Sequence, residues 1–391
     1  MKILFDLIAT QPIGLDKFHG AGEYAKIVFY NLLKYKKDSE IVAFYNKNRP
    51  INIEILKLAQ SNNVELIPII SKNEIQSIIY NKNINKIFSA LPYDYIDIDF
   101  FNKECIFIVH GLRNIEMPTD YYEYIYLSNI IEKARYVKNK KIFYNKYKEK
   151  MYNNFKKLIT LSNNSIIITP SLHTKYSIIN IFPEINKEQI YVLYSPRHRY
   201  VFPSNERTLK KYNIIDKEYF LLISSNRWIK NAYRAILAFD QLFSDFPLLN
   251  KKVLVLGSEN GKKFKGLINK NRFIYIDYVE RSDLELFYKS AYCFVYPSLN
   301  EGFGYPPLEC MKYGTPVISS AIASLTEILQ DGVMYFNPFS IDEIKNRILQ
   351  ILLEPGLYDK YSQKGVDISR KISLKQDKML DKLNDIILSK K

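Results

Sequence analysis

The chain has 391 residues, 47% of them hydrophobic and 25% charged, enough for two packed domains at roughly 100–200 residues each. Only 13 glycines and 16 prolines, with 14% aromatic residues, exclude low-complexity and collagen-like chains and argue for a globular protein. Cys105, Cys293 and Cys310 lie far apart without C-x-x-C spacing, so neither a disulfide framework nor a zinc cluster is indicated, which fits a reducing, cytoplasmic setting.

Short apolar runs alternate with helical patterns along the chain, the pattern of an α/β protein with parallel sheets. The opening MKILFDLIAT has one lysine and an early aspartate, and reads as a first strand rather than a signal peptide. Strands are expected at 2–8, 41–45, 64–69, 86–89, 106–110 and 165–169. No stretch reaches the roughly 18–20 continuous apolar residues of a spanning helix.

Charge is concentrated in this half. The net +15 is 56 basic minus 41 acidic residues, and ten Lys/Arg against Glu132 and Glu149 put +8 of it in 131–157. An anionic surface is the partner such a cluster suits. From 134 to 159 the residues Phe143, Tyr147, Met151 and Phe155 form an i, i+4 row among lysines, which predicts an amphipathic basic helix. That helix, or the tyrosine-rich stretch from Tyr121, is a candidate anchor to an anionic membrane leaflet.

The stretch 191–203, with Pro196, Pro203 and several basic residues but no periodicity, is expected to link two domains. Beyond it the α/β pattern sharpens. YFLLIS at 219–224 is a buried-strand run, followed by Ala232, Ala235, Ile236, Phe239 and Phe243 at helical spacing. KVLVLG, FIYIDYV at 273–279, YCFVYPS and Thr315 to Ser319 are further strands. Ser282-Asp283-Leu284-Glu285 and Ser324-Leu325-Thr326-Glu327 read as capping boxes. Pro306 and Pro307 suit a first helical turn, and Gly314 that helix's C′ position. Met379, Leu380, Leu383, Ile386 and Ile387 share one helical face in the tail. The expected organisation is a Rossmann-like domain over 1–200, a second over 201–375, and a C-terminal helix over 376–391 packing back on the first.

The most informative segment is PSLNEGFGYPPLE, 297–309: a strand end, a glycine-containing loop and a helix start, where backbone amides face an anion such as a phosphate. Gly302 and Gly304 allow close backbone approach to a ligand. Glu301 on the loop and Glu309 a turn into the helix offer two carboxylates for sugar hydroxyls. Arg227 and Lys230 in SSNRWIKN lie between a strand and a helix, where two cations can meet a diphosphate. His110 ends the run CIFIVH at the C-terminal edge of a strand, where α/β ligand sites lie.

With these residues the sequence resembles the retaining glycosyltransferases of family 4, most strongly over 219–338 and more faintly at GAGEY and IVHG. The resemblance implies the GT-B fold, two Rossmann-like α/β/α domains facing across an interdomain cleft that closes on the donor. It implies that Glu301 contacts the donor sugar, with the amides of Gly302 and Phe303 beside the sugar hydroxyls, and that Gly304 and Tyr305 complete the donor-binding loop. By the same resemblance Glu309 contacts the nucleotide ribose, and Arg227 and Lys230 carry the leaving diphosphate, although only two residues separate them here. His110 would bind the sugar near its reacting carbon, and Gly20 and Gly22 would open the first long helix toward diphosphate or acceptor, with Gly14 adding flexibility. Glu327 matches the glutamate of the family's PE dipeptide, with Thr326 in place of proline.

The implied activity is transfer of a hexose from a GDP- or UDP-sugar to a glycan hydroxyl in lipopolysaccharide, capsule or other surface polysaccharide assembly. The nucleotide-sugar is then a co-substrate, with no cofactor or metal expected, and the acceptor is a glycan or lipid-linked glycan. A sugar-nucleotide epimerase or hydrolase of the same fold would need an added acid/base pair. A basic nucleic-acid-binding protein would need a reading element, and none is evident, so no nucleic acid partner is expected. Asp97-Ile98-Asp99 has the form of the metal-binding triplet of the other glycosyltransferase fold, without that fold's surroundings.

Overall fold

A computed structural model describes residues 1–12, 20–36, 38–161, 164–198, 207–258 and 261–389. Gly14 and the end of the expected linker, from 199 to 203, lie outside these residues, as does the expected domain boundary at 200. The chain divides into two compact units, one formed by Met1–Leu112, Glu149–His198 and Ser373–Lys391, the other by Arg113–Lys148 and Arg199–Ile372.

The first unit is built on β1 (Lys2–Asp6), β2 (Glu40–Asn46), β3 (Glu65–Ile69), β4 (Lys86–Ser89), β5 (Glu104–Ile108), β6 (Ser165–Thr169) and β7 (Ile190–Val192). All pair in parallel, in the order β3-β2-β1-β4-β5-β6-β7. The runs are apolar throughout because helices cover both faces of a parallel sheet. Phe5 of β1 packs on Phe29 at 5.0 Å and Phe88 at 4.8 Å. Phe29 comes from the helix Gly20–Tyr35, whose Tyr24, Ala25, Val28 and Leu32 are buried with it at helical spacing.

The end of the long helix Leu357–Leu388 belongs to this unit from Ser373 on. Its Leu380, Leu383 and Ile387 join the core of β1 and the helix Gly20–Tyr35. Polar contacts fix it: Asp377 accepts from Arg197 Nε at 3.0 Å and Nη2 at 2.7 Å, and Gln376 donates to Ser195 O at 2.6 Å. Both anchoring residues, Ser195 and Arg197, fall in the stretch expected to be linker. β7 and the residues to His198 belong to the first unit; a three-residue edge strand is too short to show a period in sequence.

The second unit contains β8 (Tyr219–Leu222), β9 (Lys252–Leu256), β10 (Phe273–Ile276), β11 (Cys293–Tyr296), β12 (Val317–Ser320) and β13 (Met334–Phe336). They pair in parallel in the order β10-β9-β8-β11-β12-β13. This is the doubly wound order in which the chain reverses direction between the first and fourth strands, so the switch point lies at the carboxyl ends of β8 and β11. In the first unit the corresponding point lies between β1 and β4.

Three local expectations fail. The helix Arg281–Ser290 starts before Ser282, so that serine is inside its first turn and caps nothing; Glu285 pairs instead with Arg281 at 2.8 Å. Ser324 likewise makes no cap on Leu325–Leu329, because its hydroxyl donates to Glu301 O at 2.9 Å. The single basic helix over 134–159 is interrupted. A helix Ile130–Tyr136 runs into a π-helical turn, Val137–Ile142, closed by Phe143 N–H on Lys138 O at 2.9 Å, and a new helix spans Tyr144–Ile159. Phe143 is exposed, whereas Phe155 is buried against Tyr93 at 5.7 Å, so the expected row is not one face.

The segment 113–148, inside the stretch expected as first domain, is part of the second unit. Asp120 forms a two-pronged pair with Arg234, at 3.1 and 2.9 Å, and both are buried. Removing one partner from such a pair costs about 3–5 kcal/mol. Tyr126 packs in the second core beside Phe264.

Candidate active site

In the second unit the loops leaving β8 and β11 meet at the switch point. The loop after β8 passes Ser224 and the short turn Trp228–Lys230 to Asn231. Asn231 has a left-handed backbone, φ 55°, which asparagine tolerates better than most residues. Its Nδ2 donates to Pro297 O at 3.0 Å and Pro338 O at 2.7 Å, and its Oδ1 accepts from Arg234 at 2.8 Å. Leu299 N–H donates to Ile229 O at 2.8 Å, a second tie between the loops. Left-handed residues recur around the site: Ser224 at φ 54°, Gly304 at 106° and Ala323 at 49°. Such conformations persist only where the surroundings over-determine them.

These ties bring Lys230 onto Glu301. Its ammonium donates to Glu301 Oε1 and, at 2.8 Å, to Tyr296 OH. Tyr296 OH donates to the same Oε1 at 2.7 Å, and Ser298 Oγ at 2.5 Å. Three donors thus converge on one carboxylate oxygen, and among the described residues Oε2 has no partner. Burial alone would raise the Glu301 carboxyl, but the Lys230 charge and the hydrogen bonds from Lys230, Ser298 and Tyr296 hold it below the usual carboxylate range. Burial pushes Lys230 down to about 8, against the pull of Glu301, with the Arg227 charge lowering it further. Arg227 is exposed, and its guanidinium has no hydrogen-bond or ion-pair partner among the described residues.

The loop ends at Gly304, where a Cβ would stand 2.7 Å from Leu325 Cδ2. Gly302 is half-buried; Phe303 is buried and meets Tyr305 edge to face at 5.4 Å. Asn300 donates to Glu116 at 2.8 Å, so the segment 113–148 reaches the residue beside Glu301. Glu309 stands apart from this cluster. It accepts from Arg281 at 2.5 Å, and the same guanidinium pairs with Glu285, which accepts from Tyr313 OH. Glu327 is half-buried in the first turn of Leu325–Leu329.

In the first unit His110 follows β5. Its backbone N–H donates to Tyr93 OH at 3.0 Å and its Nε2 lies 2.9 Å from Ala90 O, which fixes the proton on Nε2 because a carbonyl only accepts. The ring meets Tyr24 edge to face at 5.3 Å. The loop supplying Ala90 and Tyr93 is held in turn by buried Asp6, which accepts from Ser89 Oγ at 2.6 Å and Tyr95 OH at 2.8 Å. Burial raises the Asp6 carboxyl to about 6. Gly20 and Gly22 open the helix that carries Tyr24, with Gly20 exposed to open space. Asp97 and Asp99 are exposed; Asp97 pairs with Lys157 at 3.5 Å and Asp99 accepts from Phe101 N–H.

The structure therefore joins Glu301 and Lys230 and places Arg227, Gly302, Phe303, Gly304 and Tyr305 around them. Tyr296, Ser298 and Asn231 complete the arrangement, and sequence reasoning did not single them out. Tyr296 and Ser298 lie in or next to the informative segment, and an asparagine directly after Lys230 is the signal of a left-handed stop.

Chains of known structure carry the same fold. Anabaena Alr3699/HepE in complex with UDP-glucose superposes with a TM-score of 0.67 at 13% identity, covering 98% of this chain and 100% of that one. The architecture is GT-B, the two-sheet fold of a large class of glycosyltransferases. Residues 204–367, which include Arg227, Lys230, Glu301 and Glu327, match the family described as glycosyl transferases group 1. Among curated proteins, the O-antigen chain mannosyltransferase RfbU of Salmonella typhimurium is 27% identical over 195 residues, 49% of this chain and 52% of that protein. O-antigen chain mannosyltransferase B of Escherichia coli is 37% identical over 99 residues, 25% of this chain and 26% of that protein. The matched stretch spans about half the length of the first relative and a quarter of the second.

Proposed function

We propose that this chain is a metal-independent, retaining glycosyltransferase that moves a hexose from a GDP- or UDP-sugar to a hydroxyl of a growing surface glycan, as in lipopolysaccharide or capsule assembly. The observation that carries this reading is the Lys230–Glu301 pair at the β8/β11 switch point, with Oε1 taken by three donors. Oε2 is then the acceptor for a sugar hydroxyl. Two of the three Lys230 N–H bonds are used on Glu301 and Tyr296, which leaves one for a phosphate oxygen. Arg227 adds an exposed cation beside it. Charge on the departing diphosphate is stabilised by these fixed donors, the kind of preorganised electrostatics worth several kcal/mol in many transfers.

Retention by same-face substitution is favoured over a covalent intermediate. A buried carboxylate whose oxygen holds three donors, with its carboxyl below the ordinary range, is a weak base and a weak nucleophile. It suits holding the sugar, not attacking it. Glu309, paired with Arg281, is the proposed ribose contact; Glu327 supports the loop. In the first unit His110, with its proton on Nε2, is the proposed sugar contact, and Gly20 and Gly22 the proposed approach to diphosphate or acceptor; these assignments rest on the family resemblance. The names of the relatives support a polysaccharide acceptor, and the UDP-glucose held by HepE supports a nucleoside diphosphate sugar as donor.

The test is thermal shift with UDP, GDP, ADP, dTDP and CMP, each with EDTA, followed by transfer assays with sugars of the base that binds. Selective stabilisation by one diphosphate without metal supports the reading. No stabilisation by any of them, or stabilisation only after magnesium is added, overturns it.

A further inference from the structure

The helix Ile130–Tyr136 and the π-helical turn after it are inverted in polarity. Their inward side carries Tyr136, which is buried, and Lys140, which pairs with Glu123 and lies over the Trp228 ring at 5.2 Å. The aliphatic residues point outward: Ile130 is 82% exposed, Ile131 66% and Ile142 66%. Ile130, Ala134, Val137 and Ile142 line one shallow groove together with Lys133 and Lys138. A contiguous exposed stripe of this kind marks an interaction surface.

The charge around the stripe identifies the cover. Between 130 and 148 there are seven Lys/Arg and one acid, Glu132, which is engaged by Ser128. Besides Lys140, the cations Lys133, Arg135, Lys138, Lys141, Lys146 and Lys148 have no carboxylate partner among the described residues. Two copies of this chain docking by this face would set like charges against each other. An anionic bilayer satisfies both halves: aliphatic side chains enter the headgroup boundary while the cations meet phosphate.

We propose that the 130–143 segment is a docking surface for an anionic lipid bilayer, with Ile130, Ile131 and Ile142 inserting and Lys133, Lys138 and Lys141 contacting headgroups. The proposal rests on the glycosyltransferase reading only for its setting, where a lipid-linked acceptor would lie in the same membrane. It relocates the surface expected from the sequence: Met151 and Phe155 play no part, and the row gives way to the outward stripe ahead of Phe143.

The experiment is co-sedimentation of the full chain with vesicles of phosphatidylcholine and phosphatidylglycerol, against phosphatidylcholine alone. Wild type is expected to bind the anionic vesicles and release at high salt. Lys138→Gln/Lys141→Gln is expected to bind about 25-fold more weakly, at about fivefold per charge. Ile130→Ser/Ile142→Ser should lose about tenfold or more, since exposed aliphatics contribute only when inserted. Equal binding to neutral vesicles, or wild-type binding by both variants, overturns the proposal. So does a wild-type dimer in light scattering that Ile130→Ser/Ile142→Ser dissolves, which would make a second copy the occupant. Nucleotide thermal shift on the same samples separates the two readings, because vesicle binding needs no donor and donor binding needs no vesicle.

Discussion

Lys230 and Glu301 come from loops 71 residues apart, and the ammonium of the first is hydrogen-bonded to Oε1 of the second inside a pocket that Tyr296 and Ser298 close. Each residue makes the other tenable in its burial. Glu301→Gln removes the counter-charge and the open Oε2 acceptor together. Transfer is expected to fall by about 100-fold or more while circular dichroism stays native, with Lys230 shedding its proton more readily. Near-normal turnover by this variant would remove Glu301 from the mechanism.

The pH dependence of donor binding and of stability should oppose each other. Lys230 titrates at about 8 when folded, against about 10.4 in an unfolded chain. Between these values the unfolded chain holds more protons at this site, so this group's contribution to stability grows as pH rises. Its ammonium is lost over the same range, so nucleoside diphosphate affinity should fall above about pH 8. Titration calorimetry and thermal melts on one pH series check both; affinity that holds flat to about pH 10 would separate Lys230 from the phosphate.

Arg227→Ala separates an exposed cation from a buried one. With no partner to lose, its unfolding midpoint should match wild type, while diphosphate affinity drops about five- to tenfold. Lys230→Ala, which strands Glu301 in a buried site, should lose both stability and affinity. Equal nucleotide binding by Arg227→Ala and wild type would assign the arginine to solvent.

Gly304→Ala places a methyl group 2.7 Å from Leu325 Cδ2 at a φ of 106°. A loss of about 1–3 kcal/mol is expected, with weaker nucleotide binding because the loop carrying Glu301 must shift. Chemical unfolding followed by tryptophan fluorescence reads the first; Trp228 is the only tryptophan and lies in the facing loop.

Asp6 offers a stability prediction at the other switch point. Its folded carboxyl sits near 6 against 3.8 unfolded, so the folded state binds more protons between about pH 4 and pH 6. Its contribution is present at the acid end and is lost as pH rises through about 6. Asp6→Asn should flatten the melting profile across that window and, by loosening the loop of Ala90 and Tyr93, move the His110 ring resonances seen by NMR. An unchanged profile would mean that Asp6 is solvated.

Much of the second unit is legible because its strands are short uninterrupted apolar runs, and the loops after two of them, 223–231 and 297–304, hold Lys230, Glu301 and Gly304, which the structure brings together. The capping boxes at Ser282 and Ser324 were not real because spacing alone cannot say whether a hydroxyl faces its own helix; Ser324 faces Glu301. The Asp120–Arg234 and Asn300–Glu116 contacts join residues more than 100 positions apart, beyond any local period. They are why the segment 113–148 was read with the wrong half of the chain. The basic helix misled for another reason: the π-helical turn ends at Ile142, which leaves Phe143 outside the helix Tyr144–Ile159, and an i, i+4 row winds about 40° per step, so it passes from exposed Phe143 to buried Phe155.

The placement of the helix beyond Ser373 also orders events during synthesis. Strands β1 to β6 emerge early, yet the sheet face that receives Leu380, Leu383 and Ile387 stays uncovered until the ribosome has made the whole second unit, roughly 10–40 s later at ordinary elongation rates. The segment 113–148 waits as well, for β8 and the helix that bears Arg234. A chain cut at residue 200 would therefore deliver neither half whole.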